Sequence, residues 1–355
     1  MAARTLGLAW GLALGATLLA AAPAAAQPHQ PISDSTIVPV SALDNTPHRD
    51  ISNGQVSARV YLPGPAGFYR GTRFDHNGIT THATYQGQDY GRPWFSAYSP
   101  AVHDFTWHNG EVVVHPASAV AGPAEEFDSI GFDAAGMDGN FLKVGIGMLK
   151  RTTETEDHVH PYPIVNAGRT RVDADKSRVR ITQTLADKPS GYGYRYTKTI
   201  RLVPGKAQMV IEHSLTNTGS KDIDTNVYCH NFLTLSPGNE NITITAPFAI
   251  TAERPFAPDA AAVDGKTIKY LRAVKEGESV TSPISGFGDS ASDYDFTVMN
   301  TKTGFGQRIR GDQPLARINF WSIATNVSWE PYVGIALKPG ETKRWTYTYD
   351  YIGPN

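Results

Sequence analysis

The sequence predicts an all-β protein of antiparallel strands, and three observations carry that prediction. Apolar and polar residues alternate with a period of two in segment after segment from residue 51 to the C-terminus, the pattern of strands with one buried face. Clusters of Gly, Pro, Asn and Asp separate these segments as turns. After residue 26 no stretch keeps a 3.6-residue apolar period over three turns, so there is little to build a helix on.

Taken in order, residues 1–26 read as an export signal. Arg4 supplies the positive charge, "LGLAWGLALGATLLAAA" the apolar run, and "AAPAAAQ" a small-residue cleavage site after Ala26. The run is too short to favour a span, and no later segment has the ~18 uninterrupted apolar residues that one needs. The mature chain is therefore expected to be periplasmic or secreted, with no membrane span after signal removal. Residues 27–50, rich in Pro and Ser, read as an extended lead-in. Residues 51–355 read as one large β domain, because no internal repeat or low-complexity linker divides them.

Within that domain, "GQVSARVYLP" follows an Asn53-Gly54 turn. In "TRVDADKSRVRITQTL", Val179 and Ile181 oppose Arg178, Arg180 and Thr182. "YGYRYTKTIRLVP" alternates aromatics with cations, and "AQMVIEHSLTNTG" aligns Met209, Ile211, His213 and Leu215. The polar turn "NTGSKD" leads into "DIDTNVYCHNFLTL". The last strand, "RWTYTYDYI", sets Trp345, Tyr347, Tyr349 and Tyr351 against Arg344, Thr346, Thr348 and Asp350.

Composition narrows the function. Lys+Arg number 32 against Asp+Glu 34, a formal net charge of −2, which argues against a nucleic-acid partner or a polybasic membrane patch. Cys229 is the sole cysteine, so no internal disulfide can form and stability must come from the core. Aromatics make up 10% of the chain; flat rings suit sugar faces, and equally a β-rich core. Serine-triad and nucleotide chemistry lack their motifs: there is no GxSxG, P-loop or helix-opening GxGxxG.

The candidate residues follow from alternation. Asn226, Tyr228, His230, Phe232 and Thr234 share one strand face, while Val227, Cys229, Asn231, Leu233 and Leu235 share the other. Cys229 is thus a buried, inert thiol, and Tyr228 and His230 lie on a polar-aromatic face suited to a sugar. Taken alone, His230 reads as a satisfied core histidine sooner than as a ligand of the sugar. Glu330 stands between Trp329 and Pro331; a carboxylate beside aromatics is desolvated, which raises its pKa and makes it a better base near neutral pH. By itself it is also an ordinary strand-edge glutamate.

In "GFYRGTRFDHNGI", Arg70 and Arg73 precede Asp75 and His76. Guanidinium forks suit sugar hydroxyls or a uronate carboxylate, the plainer reading being an Arg–Asp pair on a surface turn. In "GPAEEFDSIGF", Glu125 and Glu126 must face opposite ways, so at most one enters a cleft. "HVHPY" puts His158 and His160 on one strand face, an incomplete ligand set, so neither a metal nor a cofactor is expected.

Two separated stretches, "YGYRYTKTIRL…MVIEHSLTNTGSKDIDTNVYCHNFLTL" and "VSWEPYVGIALKPGETKRWTYTYDY", together resemble the galactose mutarotase-like family, which includes aldose 1-epimerases and hexose-6-phosphate epimerases. Family members carry N-T-G before a strand ending H-x-F-x-L, and a Glu strand before L-x-P-G-E. The resemblance covers most of the mature chain and is specific in its C-terminal half. It implies a twisted antiparallel super-sandwich with an open sugar cleft. It further implies His230 as the acid that protonates the ring oxygen, Glu330 as the base that takes the anomeric hydroxyl proton, and Arg73 as a ligand of sugar hydroxyls. One departure stands out: the family's second histidine, in an H-G stretch, has no counterpart, and His76, His82 and the His158/His160 pair are the available substitutes.

The expected function is therefore an aldose 1-epimerase-like isomerase of a mono- or oligosaccharide, using His230 and Glu330. Arg70, Arg73, Asp75, His76, Tyr228 and Trp329 are the expected substrate ligands. One alternative is a polysaccharide lyase or glycosidase-like enzyme, with Arg70 or Arg73 neutralising a uronate and Tyr69 or a histidine removing the C5 proton. Another is a non-catalytic carbohydrate-binding protein that keeps Trp329, Trp107 and the arginines.

Overall fold

Burial along the chain follows the alternation, and the strands it marks assemble into antiparallel sheets. The computed structural model describes residues 38–98, 106–108, 111–112, 120–257 and 259–354. The expected export signal and residues 27–37 of the lead-in lie outside the described residues, as does the side chain of Trp107. Residues 38–50 do more than run extended. Val38–Pro39 pairs with Ala97–Tyr98, Val40–Asn45 forms a 3-10 turn, and His48–Ser52 pairs with Val56–Tyr61.

Nine strands frame the features discussed below: β1 (Ala124–Phe127), β2 (Arg169–Ala174), β3 (Arg178–Asp187), β4 (Tyr192–Leu202), β5 (Gln208–Asn217), β6 (Ile223–His230), β7 (Arg317–Ile323), β8 (Val327–Leu337) and β9 (Thr342–Ile352). A ten-stranded sheet begins β2-β3-β4-β5-β9 and continues through Gly306–Gly311 and four further strands. A six-stranded sheet ends β7-β8-β6-β1, with β1 at its edge. The α-helix among the described residues is the single turn Phe132–Ala135.

The two large sheets pack face to face. Phe127, Val227, Cys229, Trp329 and Val333 of one meet Ile181, Tyr196, Leu215, Trp345 and Tyr349 of the other in one core. The Tyr349 hydroxyl donates to Cys229 Sγ at 3.2 Å, and the Phe127 and Tyr196 rings lie 5.5 Å apart. Each such aromatic, once buried, contributes on the order of 2 kcal/mol. Cys229 is fully buried, and the same burial pushes its thiol well above its ordinary pKa, so it has no thiolate reactivity.

This core also holds charge. Lys198 shares the buried face of β4 with Tyr194 and Tyr196, and its Nζ contacts Glu125 of β1 and lies 3.6 Å from Asp75. His213 Nε2 lies 3.1 Å from the other Glu125 oxygen. Burial alone would raise Glu125; the Lys198 charge and the hydrogen bond from His213 overcome it and lower its pKa. Asp75 is raised by burial and by the Glu125 charge, against the pull of Lys198. The cluster therefore carries one strong ion pair, with Asp75 inclined to keep its proton.

Candidate functional site

The outer face of the six-stranded sheet is assembled by cross-strand register. Tyr228 on β6 is paired with Glu126 on β1 and Tyr332 on β8; Asn319 and Arg317 on β7 are paired with Glu330 and Tyr332. Paired residues share a face, so four strands bring Glu126, Tyr228, Glu330, Tyr332, Arg317 and Asn319 to one surface. A cleft of about 330 Å³ opens there, walled also by Arg73, Asp128, Lys143, Glu156 and His158.

Glu330 and His230 stand at its inner end. His230 Nε2 is 3.1 Å from Glu330 Oε1, and the two side chains are 4% and 8% exposed. Glu330 lines the cleft; His230 sits behind it, against Phe232 at 3.6 Å, Trp321 at 5.1 Å and Phe74 at 5.9 Å between ring centroids. Phe74 and Phe232 belong to a second apolar cluster, with Trp94 and Phe95, that closes over this end of the face. Burial raises Glu330 to about 8, helped by the Glu126 charge and opposed by Arg73 and Arg317. Burial, then Arg73, holds the His230 imidazole well below its ordinary value. At neutral pH the pair is therefore a carboxylic acid beside a neutral imidazole. His230 Nδ1 has no hydrogen-bond partner among the described residues.

A second network lies in front of the pair. Arg73 Nε donates to Glu126 at 2.8 Å, Lys143 Nζ to its other oxygen at 3.2 Å, and the Tyr228 hydroxyl to Glu126 at 2.5 Å. Arg73 also donates to the Tyr228 hydroxyl at 3.0 Å. Burial would raise Glu126, but Lys143 and Arg73 hold it at about 2. Arg317 pairs with Asp128 at 3.1 Å and lies over the Tyr332 ring at 3.8 Å; Tyr332 stacks on Tyr228 at 4.4 Å. Replacing Arg73 by Met is expected to lift the Glu126 titration from about 2 toward the ordinary carboxylate range, read by carbon NMR of labelled glutamate.

Of the residues singled out from sequence, the structure brings His230, Glu330, Arg73 and Tyr228 together. The other four lie elsewhere. Asp75 is 1% exposed in the charged core cluster, where it accepts from Asn77 and from the Tyr196 hydroxyl. Trp329 faces that core too, packed on Phe296 and Phe320, because it is one residue out of phase with Glu330. His76 Nε2 donates to Gly71 O at 2.7 Å, and burial lowers its pKa. Arg70 is exposed and donates to Pro65 O at 3.1 Å.

Sequence reasoning singled out neither Lys143, Arg317, Asn319 nor Tyr332. It left Glu125 and Glu126 undecided; the structure turns Glu126 to the cleft and Glu125 to the core. The two glutamate environments lie back to back on β1. Among the candidate substitutes for a second histidine, His158 lines the cleft. His82 is paired with Asp89 at 2.6 Å, and His160 contacts Thr152 at 3.0 Å.

Neither a protein-family model nor a curated protein sequence matches the chain. Solved structures do. A galactose mutarotase-related enzyme from Lactobacillus acidophilus aligns at 9% identity and a TM-score of 0.50, covering 86% of this chain and 97% of that one. A protein from Synechocystis aligns at 11% identity and a TM-score of 0.50, covering 87% and 96%. A galactose mutarotase-like protein from Lactobacillus casei aligns at 12% and 0.47, covering 86% and 99%. The chain thus has the antiparallel β fold of galactose mutarotase-like proteins.

Proposed function

We propose that the chain is an aldose 1-epimerase-like enzyme that interconverts the anomers of an uncharged sugar by acid–base chemistry at Glu330 and His230. The observation that carries this reading is the buried pair at the inner end of the cleft, 3.1 Å apart and holding one transferable proton. The ring oxygen and the anomeric hydroxyl are both bonded to C1. An acid and a base in contact with each other can therefore serve both. The pair gives a proton to O5 as the C1–O5 bond breaks, and takes the O1 proton as the C1=O1 bond forms. Rotation about C1–C2 and the reverse transfers close the ring to the other anomer, with no net change in protons.

The electrostatics favour an uncharged substrate. Arg73 and Lys143 are both engaged by Glu126, and Arg317 by Asp128, so a uronate or phosphate would have to displace a built-in carboxylate. That weighs against the lyase reading. A merely sugar-binding surface would have no use for a carboxyl group poised near neutral pH. The site of action we place outside the cytoplasm, on the strength of the N-terminal signal pattern.

Polarimetry on freshly dissolved α-D-glucose and α-D-galactose tests the proposal. The optical rotation should relax faster in proportion to added protein. A relaxation rate unchanged for a panel of neutral aldoses would overturn it.

A further inference from the structure

The opposite side of the sandwich carries a surface that the cleft does not explain. On the solvent face of the ten-stranded sheet, register aligns two rows across five strands. One row is Arg169, Thr184, Arg195, Thr216 and Thr342; the next is Arg171, Thr182, Thr197, Ser214 and Arg344. All ten side chains are exposed or half-buried. Neither row contains an acidic or apolar residue, and no side-chain hydrogen bond or ion pair engages the guanidinium of Arg169, Arg171, Arg195 or Arg344 among the described residues. The flanking row, Asp173, Arg180, Thr199, Glu212 and Thr346, does contain acids, but each is answered: Asp173 by Arg178 at 3.1 Å and Glu212 by Arg201 at 2.9 Å. The near-neutral charge of the whole chain hides this segregation.

Strands lie ~4.8 Å apart and same-face neighbours ~6.8 Å apart along a strand, so the two rows form a flat strip roughly 19 Å long. Its hydroxyls partly pair with each other, Thr182 with Thr197 at 3.1 Å and Thr216 with Thr342 at 2.8 Å. A basic edge strand by itself would be explained as protection against strand pairing. That account covers Arg169 and Arg171 on β2, but not Arg195 on β4 or Arg344 on β9, which lie inside the sheet.

We propose that this strip binds an anionic polysaccharide, its arginine forks meeting carboxylates or sulfates and its threonine and serine hydroxyls meeting the sugar hydroxyls between them. Guanidinium forks match planar carboxylates in a way that lysine does not. Hydroxyl side chains both donate and accept, as sugar hydroxyls do. A flat, extended strip fits a chain polymer rather than a single sugar. The proposal is independent of the acid–base reading, because the strip and the cleft are on opposite faces of the sandwich.

Affinity electrophoresis through gels containing polygalacturonate, with dextran gels as the neutral control, tests it. The wild type should be retarded by polygalacturonate alone, and less so as ionic strength rises. The triple variant Arg169→Ser, Arg171→Ser, Arg344→Ser should bind about tenfold more weakly or worse, with melting temperature and sugar relaxation rate unchanged. The matching Arg→Lys triple variant keeps the charge but should still lose affinity. Equal migration of the wild type in both gels would overturn the proposal, as would undiminished retardation of the serine variant. Binding to phosphatidylglycerol vesicles as strong as to polygalacturonate would overturn the assignment to a glycan.

Discussion

Glu330→Gln is expected to slow anomer interconversion by about 10³-fold, within the range that general acid–base groups supply. The amide keeps the shape and polarity of the side chain but cannot exchange a proton with O1 or O5. KM should change little, since Arg73, Tyr228 and Asn319 remain. In the wild type, activity should fall on the alkaline side as Glu330 loses its proton near pH 8.

The substitution should affect stability in the opposite sense from activity. Because burial raises Glu330 from 4.5 to about 8, the folded protein holds a proton that the unfolded chain releases between those values. Stability therefore drains away as pH climbs through that window. His230 acts in reverse: its depressed pKa means that the unfolded chain takes up a proton below about 6.5 that the folded protein refuses, so stability is lost toward acid. Between about 4.5 and 6.5 the two slopes oppose each other; above that, the glutamate slope stands alone. Glutamine carries no such penalty, so the variant should gain on the wild type by on the order of 2 kcal/mol between about pH 6 and about pH 9. Thermal melts across that range read the gain directly. A variant that keeps wild-type turnover would remove Glu330 from the chemistry.

Lys198→Met should be the most damaging single change in the fold, at about 3–5 kcal/mol in urea unfolding. It leaves the Glu125 carboxylate between the sheets with His213 at 3.1 Å and no cation on its other oxygen. Burial would then push Glu125 up, so the folded variant would favour the protonated acid. Its deficit should accordingly shrink near pH 5 and grow above neutrality, since a raised carboxyl costs stability as pH rises. The double variant Glu125→Gln, Lys198→Met removes both charges and should recover most of the loss. A single-variant deficit below about 1 kcal/mol, or a double variant worse than the single, would contradict the pairing.

Much of this was legible in the sequence wherever a rule acts within one strand. Period-two alternation separates Cys229 from His230, puts His213 with Met209 and Leu215, and sets Trp345 to Tyr351 on the core face, and burial agrees at each position. The same rule, applied strictly, sends Trp329 away from Glu330 and puts Lys198 beside Tyr194 and Tyr196. Trp329, expected at the sugar, is adjacent to Glu330, and adjacency in a strand means opposite faces. Glu330 is desolvated, but the sheet and its aromatic cover do this, not its sequence neighbour.

What alternation cannot reach is register between strands far apart in sequence. Arg317, Tyr332 and Lys143 enter the cleft because β7, β8 and the separate strand Asn140–Lys143 meet there, and no local spacing encodes that meeting. Asp75 shows the converse. Two residues after Arg73, it read as part of one polar turn, yet the chain passes from the cleft to the interior between them.

β1 is a four-residue edge strand with a single ladder to β6, the kind of strand that slips or recruits a stranger's backbone. Here its two central glutamates are gripped from opposite sides, Glu125 by Lys198 and Glu126 by Arg73 and Lys143. A slide of one position would swap their faces and strand both charges at once. The strand is keyed like a double-bitted lock, and its alignment is fixed by electrostatics where hydrogen bonds alone would be too few.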